Sequence, residues 1–463
     1  MVDHMSKGIA PSQDVVELRK PVLWDRAAGV LLGLACGDAL RAGSDTPGEY
    51  SAITELPVAI AQIAATGAEL GEPESLYAVA DQVRATPGSL PPAAAGIALA
   101  HLDNPKAMAK TVQALRRITG DGVLTGDACL LWCSAIQHAV LDGDLHGWRR
   151  GLELLPEQRR DLWAGWLGAA ASGLPLPLIV HEPAVASFLS AWSAITRTPG
   201  VTTSPSAGTF GCQHLQHALV SAATATTGTA AATAGALLGA RWGASAVPSR
   251  WQLTLSGPTG LRASDLVRLA ILAAWRGRPD AAGWPVASHH PSEPGSKPAV
   301  VRHPHDPDLL LGNLALATAD GLAELSVGAI VSLCRVGTAD FAQSAEAAAR
   351  LEVWLVDWPG GNAHPHFVVD QAALAIAKFR AEGKKVLVHC SAGRSRTPMV
   401  AARYSTLALG VPPAEAVAAL RQALGPVGMR INPELRAVLY ELAGEDVPPV
   451  DEAEAALWDP PGQ

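Results

Sequence analysis

The chain has 463 residues, roughly three times the commonest domain size, so its length predicts two domains rather than one. Hydrophobic residues make up 49% of the chain and charged residues 17%, and this apolar content excludes an intrinsically disordered protein. The net charge of −8 predicts no general affinity for nucleic acid or for an anionic membrane. The six cysteines are scattered without zinc-type pairing, so neither a disulfide framework nor a metal knuckle is indicated.

No targeting or membrane-spanning segment is predicted. Residues 1–22 are polar and mixed in charge, without the apolar core of a signal peptide. The uncharged stretch 163–180 contains three glycines and two prolines, which argues against a spanning helix. We therefore predict a cytoplasmic protein with no membrane partner.

Residues 23–280 have a helical pattern almost throughout. Ala-rich amphipathic segments such as 26–40 and 126–140 alternate with short Gly/Pro turns, and no strand-like alternation persists. Cys129 and Cys133 have a helical spacing and are expected to be two buried small side chains. The pattern predicts an all-α domain.

The composition changes after this region. Residues 281–300 carry four prolines and two adjacent histidines, which is typical of a linker. Over 301–446, the short apolar runs LLLGNL, AIVSLC, EVWLVD and KVLVH alternate with helical stretches at 366–383 and 413–424. This alternation predicts an α/β domain with a central, mostly parallel sheet. The remaining residues, 447–463, are acidic and proline-rich, as expected of a tail.

The strongest chemical signal is HCSAGRSRT, residues 389–397, at the end of the run KVLVH. A strand that leads through small residues into a helix start points consecutive backbone N–H groups into a concavity that can hold a dianion. Arg396 can close this ring with a bidentate guanidinium. Cys390 would lie at a helix N-terminus beside a cation, which favours the nucleophilic thiolate. The predicted phosphate loop comprises Ser391, Ala392, Gly393, Arg394, Ser395 and Arg396.

This loop resembles the signature of cysteine-based protein phosphatases of the dual-specificity branch, and the resemblance covers about 304–445. Six agreeing positions in a strand–loop–helix context disfavour the alternative, a buried cysteine near a solvated arginine. The resemblance implies that Cys390 is the nucleophile that forms a phosphocysteine and that Arg396 clamps the phosphate. It also implies that Thr397 helps the thiolate to leave and that His389 orients the loop.

The family also uses a general acid, because the leaving oxygen needs a proton. Asp357 lies 33 residues before the cysteine, at the end of EVWLVD, and the resemblance implies that it is this acid, on a movable loop. Pro359 and two glycines give that segment the punctuation of a loop. A turn-capping aspartate is the alternative. His364 and His366 are further candidates, expected to be exposed loop residues.

Two further observations refine the resemblance. No segment like the Lys-Asn-Arg-Tyr of the deep-pocket tyrosine-specific enzymes is present, so the pocket is expected to admit phosphoserine, phosphothreonine and phosphotyrosine. In the segment MRINPEL, Asn432 and Pro433 fit the family. Glu434 departs from it, because many relatives carry there a second Asn that braces the loop.

The helical half resembles the ADP-ribosylglycohydrolases. Residues 225–251 are similar to the C-terminal motif of that family and 25–40 to its opening helix, and the likeness spans 23–277. The resemblance implies an all-α fold, in which the family holds two magnesium ions with clustered Asp and Thr residues.

The carboxylates of such a site are missing here. The chain reads Thr-Thr-Gly-Thr at 226–229 where the family has Asp-Thr-Asp-Thr, and Ser-Ala-Ile-Thr at 51–54 where it has Thr-Asp-Asp-Thr. Mg²⁺ requires anionic oxygen ligands to offset its dehydration, and hydroxyls do not supply them. Asp38 and Asp127 remain, and both have the pattern of ordinary turn or cap residues. We predict no metal in this domain and no cofactor for the protein.

Two interpretations of the helical half stay open: an inert scaffold, or a module that binds an ADP-ribose-like ligand without cutting it. The sequence as a whole predicts a phosphatase that hydrolyses phosphomonoesters on protein Ser, Thr and Tyr through a phosphocysteine. The alternative function is removal of ADP-ribose from modified proteins by the helical domain. The predicted substrate is a phosphorylated protein or another phosphomonoester, and the absence of Lys from the loop favours protein.

Overall fold

The computed structural model describes residues 21–85, 90–174, 182–225, 228–275, 297–317, 320–337, 348–425 and 428–449. Most of the predicted N-terminal tail, linker and acidic tail lies outside these residues, as do positions 226 and 227. The predicted domain boundaries therefore stay predictions.

The described residues of the N-terminal region form an all-α structure, as predicted. Its helices α1 to α13 are Pro21–Ala39, Ala52–Ala65, Pro73–Ala85, Leu90–Ala100, Pro105–Thr119, Val123–Asp142, Trp148–Leu152, Glu157–Ser172, Pro183–Arg197, His214–Ala225, Gly228–Trp242, Ser249–Thr254 and Ala263–Trp275.

Helices α1 and α11 form the centre of this region and touch through their backbones. A Cβ on Gly29 would clash with the carbonyl of Gly239, and one on Gly33 would clash with the carbonyl of Gly235. These pairs run in opposite directions along the chain, so the two helices are antiparallel. Close helix approach explains why small residues dominate both segments, and it accounts for the long uncharged tract around α11.

Helix α6 is long and apolar enough to cross a membrane by length and composition, and it is the one such helix among the described residues. Within the fold, 83% of its apolar window is buried. Cys129 and Cys133 lie in this helix and are both 0% exposed, as predicted. Packing inside the helical region accounts for the apolar composition of α6.

The C-terminal region is α/β, as predicted. Its strands β1 to β5 are Val300–His303, Asp306–Asn313, Ala329–Ser332, Ala349–Glu352 and Val386–Cys390. Its helices α14 to α18 are Leu314–Ala317, Pro365–Ala381, Arg396–Leu409, Pro413–Leu424 and Pro433–Ala443. The sheet order is β1-β2-β5-β3-β4, with only β1 antiparallel to its neighbour. Strand β5 is buried at every position, which is typical of a central strand, and it ends at Cys390.

The strand predicted over EVWLVD is misplaced. Strand β4 ends at Glu352, so Asp357 lies in a loop five residues after the strand rather than at its end. The Val353 amide still donates to the Ser332 carbonyl at 2.8 Å, after which the chain leaves the ladder. The apolar residues that follow are packed in the core or line the cavity between the regions, so their hydrophobicity does not indicate strand pairing. Sequence analysis also gave no indication of β1.

The two regions pack directly on each other. Phe210 of the helical region meets Phe367 of α15 edge to face, with ring centroids 5.5 Å apart. Ser249 donates its backbone N–H to the Gln371 side chain at 3.1 Å. A cavity of about 20 Å³ between the regions has room for about one water molecule. This interface lies beside the loop that carries Asp357.

Candidate functional site

The loop after β5 wraps around the Cys390 thiol. Cys390 is 2% exposed, and its Sγ accepts a hydrogen bond from the Gly393 amide at 3.2 Å. Gly393 has φ +76°, and a Cβ there would lie 2.8 Å from the Gly312 carbonyl oxygen. Both the backbone conformation and the lack of space therefore require glycine at this position. The cysteine is thus held at the base of the loop, as predicted.

Arg396 begins α16 and lies beside the thiol. Its Nη1 donates to the backbone oxygens of Leu333 at 2.7 Å and Leu355 at 3.1 Å. Its buried Nε has no hydrogen-bond partner among the described residues, although the Asp357 carboxylate lies 3.6 Å away. Burial lowers the pKa of Arg396, but Cys390 and Asp357 outweigh it and the pKa is raised. The guanidinium is anchored at one end, with donor capacity left at the other.

Asp357 lies next to the cysteine loop. Its Oδ1 accepts hydrogen bonds from the Ser395 hydroxyl at 2.7 Å and from the Asn432 amide at 3.2 Å. The side chain is 19% exposed and faces Arg396. A carboxyl group that is partly exposed beside the Arg396 guanidinium is in a position to exchange a proton with a molecule bound in the loop.

Asn362 closes the Asp357 loop on itself. Its Oδ1 accepts from the Val356 amide and its Nδ2 donates to the Val356 carbonyl, both at 2.8 Å. The same Nδ2 also lies 3.4 Å from Glu434 Oε2. Glu434 therefore contacts the Asp357 loop at the position where the sequence departs from the family.

The two histidines after this loop are more enclosed than predicted. His364 Nε2 lies 2.8 Å from the backbone oxygen of Trp242 in the helical region, and burial lowers the pKa of His364 to about 4. The neutral ring therefore donates from Nε2 to that carbonyl. His366 lies in the first turn of α15, where it pairs with Glu441. The expectation of exposed loop residues was wrong because the helical region and α18 cover this surface.

His389 and Thr397 flank the cysteine loop from inside the fold. The His389 ring is 0% exposed, and its Nε2 lies 2.8 Å from the Ser332 hydroxyl. Burial lowers the pKa of His389 to about 4, so the ring is neutral near pH 7. The Thr397 hydroxyl is buried and has no hydrogen-bond partner in the described part of the chain. His389 is placed to orient the loop, and Thr397 has a hydroxyl available to the site.

Neighbouring segments hold the outer part of the loop. The Leu314 amide donates to the Ser391 carbonyl at 3.1 Å, and the Arg430 amide donates to the Arg394 carbonyl at 2.9 Å. Ala392 and Arg394 are exposed, so they form the rim of the site rather than its base. The predicted loop residues are thus together in one cradle.

The acidic residues of the helical region have a different environment. Asp38, at the end of α1, accepts from the amide and hydroxyl of Thr54 and from the amide of Ser51. It caps the start of α2, which fits its predicted role. Asp127 does not: it lies within α6, where its carboxylate pairs with Arg159 Nε at 2.5 Å and accepts from the Trp163 indole. It forms a buried ion pair rather than a turn or a cap.

No cluster of metal-ligating side chains is present in the described ranges. There is no group of three or more His, Cys, Asp or Glu residues that could hold a metal ion. Among the predicted hydroxyl positions, Ser51 and Thr54 are engaged with Asp38. In the described structure these hydroxyls serve as hydrogen-bond donors to the Asp38 carboxylate.

Two family models match the chain. The model for the dual specificity phosphatase catalytic domain matches residues 309–442, and the model for ADP-ribosylglycohydrolase matches residues 59–281. The C-terminal region is a phosphatase domain. The match to the second family begins at residue 59 and does not include the opening-helix resemblance at 25–40. No curated protein matches the chain.

Solved structures match one region each. Human DUSP28 is 24% identical, covers 32% of this chain and 97% of its own, and gives a TM-score of 0.28. An ADP-ribosylglycohydrolase-related protein complex is 19% identical, with coverage of 55% and 98% and a TM-score of 0.39. PTPMT1 in complex with PI(5)P is 23% identical, with coverage of 29% and 90% and a TM-score of 0.26. None of these likenesses supports an argument beyond the family matches.

Sequence reasoning missed two residues that bond Asp357 and a third that holds its loop. It named Ser395 only as part of the phosphate loop and did not foresee its hydroxyl on the carboxylate. It noted Asn432 only as a family residue, and it did not single out Asn362 at all. An Asn directly after a Gly-Gly pair is typical of a side chain that bonds nearby backbone, and this signal could have identified Asn362.

Proposed function

We propose that the C-terminal domain is a cysteine-dependent phosphatase that hydrolyses phosphomonoesters on protein Ser, Thr and Tyr through a phosphocysteine. The observation that carries this proposal is the convergence of the Cys390 thiol, the anchored Arg396 guanidinium and the Asp357 carboxyl around one loop, whose Gly393 amide donates to the thiol. These groups meet the three needs of the reaction, which are a nucleophile, a clamp for the phosphoryl oxygens and a proton donor.

In the first step, the Cys390 thiolate attacks phosphorus while Arg396 and the loop amides bind the non-bridging oxygens. The S–P bond forms as the P–O bond to the leaving group breaks, and Asp357 gives its proton to the leaving oxygen. Donors that meet charge developing in the transition state stabilise it most. The unpartnered Nε of Arg396 supports this role.

In the second step, water attacks the phosphocysteine. Asp357, now ionised, accepts a proton from the water, the S–P bond breaks, and inorganic phosphate leaves. The Thr397 hydroxyl is proposed to stabilise the departing thiolate, and His389 to keep the loop oriented. The buried, unpartnered Thr397 hydroxyl supports the first of these roles.

The decisive test is hydrolysis of para-nitrophenyl phosphate with EDTA present. We expect the wild-type protein to be active and the Cys390→Ser protein to be inactive. Cys334→Ser is the matched control, because that thiol also lies near His389, at 4.0 Å, and is assigned no step. Hydrolysis that survives in Cys390→Ser, or that requires a metal ion, would rule out the proposal.

The substrate class needs a separate experiment. Peptides that carry phosphoserine, phosphothreonine or phosphotyrosine should all be dephosphorylated, whereas vesicles with phosphoinositide should be poorer substrates. Capture of partners by an Asp357→Ala protein, followed by mass spectrometry, would identify physiological substrates. Preference for the vesicles would replace the protein assignment with a lipid one. The cytoplasmic location also stays a prediction.

The helical region has a second candidate function, because its family match is to ADP-ribosylglycohydrolases. We propose that it serves as a scaffold or as a binding module for an ADP-ribose-like ligand. Full-length protein with Cys390→Ser, incubated with Mg²⁺ and ADP-ribosylated protein, tests this directly. Release of ADP-ribose would show that the region is an active hydrolase, and binding without release would identify a binding module.

A further inference from the structure

Arg396 depends on two stretches of backbone outside the cysteine loop. Its Nη1 is bound to the carbonyl of Leu333 at 2.7 Å and to that of Leu355 at 3.1 Å. These carbonyls belong to residues 333–336 and 352–355, the anchor segments, which follow β3 and end β4. The orientation of the guanidinium therefore depends on where these two segments lie relative to each other.

Arg268 of the helical region joins the anchor segments. Its Nη1 donates to the Val336 carbonyl at 3.2 Å and pairs with the Glu352 carboxylate at 3.2 Å. Its Nη2 is held by Asp265 on the same helix at 2.7 Å. Arg268 is 6% exposed. Burial raises the pKa of Glu352, and Arg268 acts in the opposite direction. One buried side chain thus contacts both segments that carry the anchors of Arg396.

Contacts between tryptophan rings and Arg335 make a second connection between the helical region and the anchor segments. Trp24 of α1 stacks on Trp275 of α13, with ring centroids 4.2 Å apart. The Arg335 guanidinium lies 5.0 Å from the Trp24 ring and 5.6 Å from the Trp354 ring. Such cation–aromatic contacts are attractive, most strongly with tryptophan. Arg335 and Trp354 lie in the two anchor segments, one in each.

We infer that the helical region positions the phosphatase site, with Arg268 and Trp24 as positioning residues that fix the anchor segments and hence Arg396. The inference rests on the proposed function and adds to it a role for the second domain. Displacing a catalytic group by about 1 Å from a distance can cost on the order of 10²-fold in rate. Contacts that hold the backbone anchors of Arg396 therefore influence phosphate binding without touching the phosphate.

Other contacts between the regions provide a matched control. Ser249 bonds Gln371 on α15, and this hydrogen bond involves neither anchor segment, although both residues line the cavity that Val353 and Trp354 also line. Gln371→Ala removes an interface hydrogen bond and leaves the anchors of Arg396 in place. A general loss of interface stability would affect both kinds of variant, whereas positioning of Arg396 is disturbed only by the Arg268 variants.

The experiment measures tungstate binding, because this oxyanion mimics phosphate and needs no turnover. Tungstate is titrated by calorimetry into full-length protein that carries Cys390→Ser. This parent protein is compared with versions that also carry Arg268→Met or Gln371→Ala. Arg268→Met leaves Glu352 buried without its partner and can unfold the protein. A double variant, Arg268→Met with Glu352→Gln, removes both charges. Thermal unfolding of each protein is recorded, and kcat/KM is measured in the corresponding proteins with Cys390.

We expect tungstate affinity to fall by about tenfold or more in the double variant and by about twofold or less in Gln371→Ala, with kcat/KM falling in parallel. The inference is overturned if the folded double variant binds tungstate as tightly as Gln371→Ala, or if both lose affinity equally. If wild-type protein hydrolyses no phosphomonoester, the proposed function fails. The inference is still decided by comparing the tungstate affinities of the double variant and Gln371→Ala. If the parent protein binds no tungstate, the inference is overturned, whereas the proposed function is decided by hydrolysis alone.

Discussion

The cysteine loop and the acidic sites of the helical region use their polar groups in opposite ways. Around the loop, the Nε of Arg396 and the hydroxyl of Thr397 are buried and have no hydrogen-bond partner among the described residues. In the helical region, Asp38 and Asp127 are buried and fully engaged by neighbouring side chains. Buried polar groups are nearly always hydrogen-bonded, so unpartnered ones need an explanation, and a binding site is one.

The comparison shows a difference between the two regions, each of which resembles a known family. The phosphatase region retains polar groups that the fold itself does not use, which is what binding an external anion requires. Asp38 and Asp127 of the helical region are instead engaged in hydrogen bonds and an ion pair that the fold itself uses. The partners of a polar residue are therefore more informative about function than its identity.

The largest expected effect is that of removing the proton donor. Asp357→Asn should slow hydrolysis of an alkyl phosphate by about 10²–10⁴-fold, because its leaving group needs protonation. An aryl phosphate with an activated leaving group, such as para-nitrophenyl phosphate, should lose much less. Equal losses on both esters would make Asp357 a structural residue.

Arg396→Lys tests the role of the Arg396 Nε, which has no hydrogen-bond partner among the described residues. Lysine keeps the charge but lacks the planar fork that binds two oxygens, so kcat/KM should fall by about 10²–10³-fold. The thermal unfolding midpoint should fall as well, because Arg396 also donates to the carbonyls of Leu333 and Leu355, so kcat/KM is compared in folded protein. A large loss of stability with a small loss of activity would contradict this assignment.

For a buried ion pair of the helical region, we expect a loss of stability without a loss of phosphatase activity. Arg159→Met leaves the Asp127 carboxylate buried without its partner and should lower the free energy of unfolding by about 3 kcal/mol, at the low end for buried pairs because Arg159 is partly exposed. Phosphatase kcat/KM should stay close to that of the wild type. The double variant Arg159→Met, Asp127→Asn should recover most of the stability. Loss of phosphatase activity in a folded Arg159→Met protein would break the comparison.

The smallest effect concerns the contact between the regions. The pKa of His364 is lowered from 6.5 to about 4, so the unfolded chain binds a proton there more readily than the folded one. The contribution of His364 to the free energy of unfolding is complete above pH 6.5. It is lost as pH falls through 4, and the loss is at most about 3 kcal/mol. In His364→Gln, whose amide can still donate to Trp242, stability should vary less with pH in this window. Chemical denaturation at several pH values measures the difference.

The sequence predicted elements best where local pattern and burial agree. Helix α17 was expected at 413–424 and is found there, because a proline start and an amphipathic pattern leave little choice. The strand over EVWLVD failed because Trp354 and Leu355 are apolar for other reasons: the Trp354 ring packs on Arg335, and the Leu355 side chain is buried in the core. Hydrophobicity alone does not distinguish a strand from a packed loop.

Site residues were predictable where they belong to a contiguous motif. The cysteine loop is such a motif and Asp357 was proposed from the family resemblance, whereas Asn362 and Arg268 act through contacts with backbone that no linear pattern records. Asp127 was misjudged for the same reason, since its partner Arg159 lies on another helix. Long-range partners of charged residues are the part of the structure that single-sequence reasoning cannot supply.

The central claim is that catalysis proceeds through phosphate bound to Cys390. The most direct measurement is mass spectrometry of full-length protein acid-quenched during turnover of para-nitrophenyl phosphate. The account predicts one phosphoryl group on the peptide that contains Cys390, absent from the Cys390→Ser protein and present in Cys334→Ser. Phosphate on a different side chain, or turnover without any phosphorylated Cys390 peptide, would contradict it.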